Sequence, residues 1–93
     1  MYKLNYTVKA MFPNNPAVDM PPVHVTDLAK DIPSWCVAKV SELMCLLGHA
    51  GESQKINIEW DATGVLILAY NIGTYAETRR EYRVDSLVPV KDE

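Results

Sequence analysis

The sequence predicts an α+β fold: one antiparallel sheet of three to four strands with one main helix packed on one face, in the order β-loop-α-β-β-β. Three observations predict it. Residues 2–10 alternate apolar and polar side chains, residues 33–47 repeat apolar side chains at helical spacing, and residues 55–70 hold two apolar runs split by a turn signal. A chain of 93 residues is enough for a single α+β domain, here taken as 1–93. Its 48% hydrophobic content argues for a packed core and against disorder.

The first strand is read from Tyr2, Leu4, Tyr6 and Val8, which alternate with Lys3, Asn5, Thr7 and Lys9. Residues 11–25 follow and contain four prolines. Proline has no amide hydrogen and a fixed φ, so this segment is expected to be a long, stiffened loop. Within "TDLAKD" a single helical turn capped by Thr26 is expected.

The main helix is placed at 33–47, with Pro33 in its first turn and Gly48 just past its end. At 100° per residue, Cys36, Val37, Val40, Leu43, Met44 and Leu47 form one arc and are expected to face the sheet. Trp35 and Leu46 fall on the outer side near Ala38 and Glu42, where a partner or the proline-rich loop would cover them. Cys36 and Cys45 lie about 13 Å apart along one helix and on opposite faces, so both are expected to be free thiols.

The segment 55–70 reads as a β-hairpin around Asp61 and Gly64, which suit the ends of a type I turn with a left-handed glycine. The expected register sets Trp60 opposite Leu66, Ile58 opposite Leu68, and Ile56 opposite Tyr70. That places Asn57, Glu59, Val65, Ile67 and Ala69 on the other face. A last strand begins near Arg80. There Arg80, Tyr82 and Val84 alternate with Glu81, Arg83 and Asp85, and Arg79 shares the second set's face.

The chemistry is narrow. The formal charge of -3 lacks the basic excess of a general nucleic-acid binder. There is no apolar leader and no run of ~20 apolar residues, so the expectation is a cytoplasmic protein without a membrane partner. No CxxC, HxxxH or carboxylate cluster suggests a metal, no glycine-rich loop suggests a nucleotide cofactor, and no cofactor is expected. His24, His49, Cys36 and Cys45 are joined by no motif, so no catalytic residue is assigned.

Arginine and tyrosine dominate what is left. Arg79, Arg80, Arg83, Tyr75 and Tyr82, together with Trp35 and Leu46, are the candidate partner- or anion-binding residues. They point first to a non-enzymatic protein-binding module, an inhibitor or adaptor of the kind found among accessory proteins of mobile elements. They point next to a small-ligand or nucleotide binder using residues 75–83. A homodimeric scaffold burying Val65, Ile67 and Ala69 is the third expectation.

Overall fold

The computed structural model describes residues 1–47, 56–61 and 63–91, apart from the side chain of Leu47. It is α+β. Five strands, β1 (Tyr2–Met11), β2 (Val23–Ala29), β3 (Ile56–Trp60), β4 (Val65–Tyr70) and β5 (Thr78–Pro89), form one antiparallel sheet. Their order across the sheet is β2-β1-β5-β4-β3. One α-helix, α1 (Ile32–Leu47), lies on one face. Three to four strands were expected, and the added one is β2.

Residues 23–29 were expected to be loop followed by a helical turn at "TDLAKD". They form an edge strand instead, paired with β1 from Tyr2↔Ala29 to Val8↔Val23. The four prolines (13, 16, 21 and 22) all precede it, and the short 3₁₀ turn Pro16–Val18 lies among them. Once past Pro22, "VHVTDLA" meets the unpaired edge of β1, and ladder pairing overrides a weak local turn preference.

The hairpin has the register read from the sequence: Trp60↔Leu66, Ile58↔Leu68 and Ile56↔Tyr70. Gly64 adopts φ +96, a left-handed value that side chains disfavour. Its carbonyl accepts a hydrogen bond from Val84 N at 2.8 Å, so the turn is fastened to the central strand. β5 also pairs with β1, with a register shift between Asn5 and Tyr6 that leaves Asp85 as the extra residue.

Asp31 caps α1, its carboxylate accepting from Ser34 N at 2.7 Å. These bonds to Ser34 hold the Asp31 carboxyl below the ordinary range. The core lies between α1 and the sheet and is built from Leu4, Tyr6, Trp35, Cys36, Leu43, Leu66, Leu68 and Tyr82. The helix is rotated from expectation by most of one ~100° residue step. Trp35 is 1% exposed, against the expected outer position, while Val37 is 67% exposed and Met44 49% exposed, against the expected inner one. Trp35 sets its ring edge-on to Tyr6 and Tyr82, with centroids 5.1 and 6.0 Å away. Burying an indole there removes more apolar area from water than burying Val37 would.

Candidate functional site

The two flanks of α1 present different surfaces. On the β2 side, Lys39 is buried although it falls outside the arc expected to face the sheet. Its ammonium bonds the Asp27 carboxylate and lies 3.2 Å from Glu42 Oε1. Tyr6 donates its hydroxyl to Asp27 Oδ2 at 2.7 Å, and the Lys39 ammonium stands 5.4 Å from the Tyr6 ring centre. Burial alone would raise the Asp27 carboxyl, but hydrogen bonds from Lys39 and Tyr6 and the lysine charge hold it below the ordinary range. Burial works against the Lys39 charge as well, and the bonds to Asp27, Tyr6 and Glu42 outweigh it, raising the ammonium above its usual value. Burial and the bond to Asp27 raise the Tyr6 phenol. The Trp35 indole N–H lies close enough to help lower Asp27, yet no partner in hydrogen-bond geometry meets it among the described residues.

Beyond this network a cleft of ≈ 370 Å³ opens between α1, the floor of β1 and β5, and the wall formed by Met20, Pro21 and Val23. Arg80 and Tyr82 stand in its floor.

On the β3 side the helix leaves an apolar groove of ≈ 240 Å³, lined by Pro33, Cys36, Val37, Val40, Ile58 and Trp60 among others. Ile58 is 44% exposed and Trp60 51% exposed. Burial, with the nearby Asp61 charge, raises the Cys36 thiol. Both cysteines are free, Cys36 buried and Cys45 exposed. β3 is an edge strand, and no described residue pairs with its outer side. Asp61 N bonds Val65 O at 3.0 Å. Antiparallel alternation then turns the N–H and C=O of Trp60 and Ile58 outward, beside the groove their side chains line.

The expected arginine–tyrosine site is divided by the pleat. Arg79 and Arg83 lie on the open face of the sheet, where Arg83 pairs with Glu81 at 3.0 Å. Arg80 points to the helix side, and its guanidinium reaches the Tyr82 and Tyr70 hydroxyls, each at 3.4 Å. Tyr75 stands 77% exposed in the turn between β4 and β5, and Leu46 is 70% exposed on the outer side of α1. Trp35, buried in the core, offers no partner surface. On the open face Val65 and Ile67 are half-buried and Ala69 is buried between neighbouring strands. His49 and Gly48 lie outside the described residues.

The open face holds a cluster that the sequence did not reveal. Thr7 Oγ1 donates to Asp85 Oδ2 at 2.7 Å and lies 3.2 Å from His24 Nδ1. The hydroxyl proton goes to the carboxylate and not to the imidazole, so the ring does not activate the threonine. The cluster arises because β2 and the extra residue of β5 flank β1, neither of which local sequence signals mark. Among the described residues no group of three or more His, Cys, Asp or Glu side chains could hold a metal ion, and no helix is long and apolar enough to cross a membrane.

No family model, no curated protein and no solved structure matches the chain.

Proposed function

We propose that this protein is a small non-enzymatic binding module that takes an extended segment of a partner protein along β3. The observation that carries the reading is Trp60, half exposed in an apolar groove beside outward-facing backbone groups. A strand added to β3 gains main-chain hydrogen bonds and sets alternate side chains into the groove. Its other side chains face Glu59, while Asp61 stands close by. Hydrogen bonds from Thr63 and Val65 keep Asp61 anionic, holding it below the ordinary carboxylate range. The partner segment that fits therefore alternates apolar residues with lysine or arginine. An inhibitor or adaptor acts through such a surface.

Ile58→Pro and Trp60→Ser test the reading. Proline at 58 deletes an outward N–H and leaves the pairing with β4 in place. A photo-crosslinking residue at position 58 is expected to trap one partner through an apolar–basic strand. Both variants should lose that partner while remaining folded, each with a melting temperature lowered only by the loss of a half-buried side chain. Retention of the partner by both variants overturns the reading. A concentration-dependent dimer in light scattering, abolished by Ile58→Pro, replaces the partner with a second copy.

A further inference from the structure

We propose that the cleft on the β2 side of α1 is a receptor for a carboxylate carried on an apolar body, with Arg80 as its anchor. The inference is independent of β3. It begins with the neutralisation of charge. Lys39, the other cation of the cleft, is already held by Asp27 and Glu42. Arg80 is half-buried and has no carboxylate partner among the described residues. Among the described residues its polar contacts are two phenol oxygens at 3.4 Å, both long for a charged donor. A guanidinium withdrawn from water is normally met by an anion with the geometry of its fork.

The phenols prepare the site further. Tyr82 and Tyr70 accept from Arg80 through their oxygens, which leaves the hydroxyl hydrogen of Tyr82, the one of the two that lines the cleft, available to the same anion. The Tyr70 ring lies 5.9 Å from the guanidinium carbon and helps fix the fork's direction. Val8, beside Tyr82 in the floor, and the wall of Met20, Pro21 and Val23 give the same cleft an apolar lining for an apolar body. The cleft volume of ≈ 370 Å³ falls within the roughly 300–1,000 Å³ of small-molecule sites.

Among the described residues the cleft holds one cation without a carboxylate partner, and that selects the class. A carboxylate matches the fork with one charge. A phosphate dianion would carry a second charge that no further free cation among the described residues of the cleft meets, near the Glu42 carboxylate on the cleft wall.

The test is a titration followed by NMR at the Arg80 Nε–Hε signal and the Tyr82 ring. The probes are benzoate, benzamide, inorganic phosphate and the capped dipeptide acetyl-Leu-Glu-amide. Saturable shifts with benzoate or the dipeptide are expected, at roughly millimolar dissociation constants for ligands so small. The tighter of the two tells a free organic acid from an acidic side chain presented by a protein. Benzamide, the same shape without the charge, should bind at least about tenfold more weakly. Arg80→Gln should abolish the shifts at Tyr82, and Arg80→Lys should restore only part of them, because the charge returns without the fork. Equal binding of benzoate and benzamide, stronger binding of phosphate, or no saturable shift with any carboxylate overturns the proposal. The benzoate–benzamide comparison uses the unmodified protein, so it stands even where a variant fails to fold.

Discussion

On the β2 side of α1 a lysine is sealed between two carboxylates and a phenol, whereas on the β3 side Val37, Ile58 and Trp60 stand open to water. The first flank hides what is costly to desolvate, and the second exposes what is favourable to bury. A buried ion pair adds little net stability but fixes which groups must meet. Here it fixes the helix against an edge strand. The exposed halves of apolar side chains beside an unpaired sheet edge add nothing to the isolated fold and are suited to contact. The comparison teaches that the ion pair ties α1 down on the β2 side, and that the apolar surface left open to water lies on the β3 side.

The comparison can be broken first at the floor both flanks share. Trp35→Ala should cost ~3–5 kcal/mol, because it removes the largest fully buried side chain. A loss under about 1 kcal/mol in chemical denaturation would mean that α1 is not seated on Trp35.

The polar flank comes next. Lys39→Met should cost about 3 kcal/mol by stranding Asp27, and adding Asp27→Leu should restore most of the loss. If the double variant is as unstable as the two single losses combined, the flank is not organised around this pair. Its pH dependence has a definite sign. Asp27 is lowered on folding, so its contribution is whole above the ordinary value of 3.8 and drains as pH falls through the lower folded value. Lys39 and Tyr6 are raised. Their contributions are whole below 10.5 and 10.0 and are lost as pH rises through the higher folded values. Denaturation midpoints measured against pH should show both limbs, and the Lys39→Met/Asp27→Leu variant should flatten the acid one.

The open flank relies on its turn rather than on side-chain cover. A Cβ on Gly64 would meet Val84 Cβ at 2.7 Å, at a φ that already disfavours a side chain. Gly64→Ala should cost about 2–3 kcal/mol, read by thermal denaturation. The smallest effect sharpens the contrast. Trp60→Ser should cost about 1 kcal/mol, since only half of the indole is buried, and acrylamide should quench Trp60 fluorescence while sparing Trp35.

The hairpin was legible in the sequence because Asp61 and Gly64 set the turn, and strict alternation set the faces. β2 was not. Half of its side chains face water, so its pattern is weak, and only the vacant edge of β1 decides that it is a strand. That one omission carried two others. Without β2 there is no Asp27 for Lys39, so Lys39 fell outside the arc expected to face the sheet, and an arc that excludes Lys39 also excludes Trp35. At the candidate sites, alternation separated Arg80 from Arg79 and Arg83 correctly. The exposure of Ile58 and Trp60 was hidden, because it depends on which strands the helix covers and not on the strands themselves.

The pairing of β1 with β5 also governs how the molecule forms. The central strand of the sheet is the last in chain order, and it joins the strand made first to the hairpin made just before it. Until β5 arrives, β1 and β4 each present a bare edge, and little of the core can close. Such non-local closure is slow, on the order of milliseconds to seconds rather than microseconds. A nascent chain would therefore carry the bare edge of β1 for most of its synthesis, joined by that of β4 only once residue 70 is made, until β5 fills the gap between them.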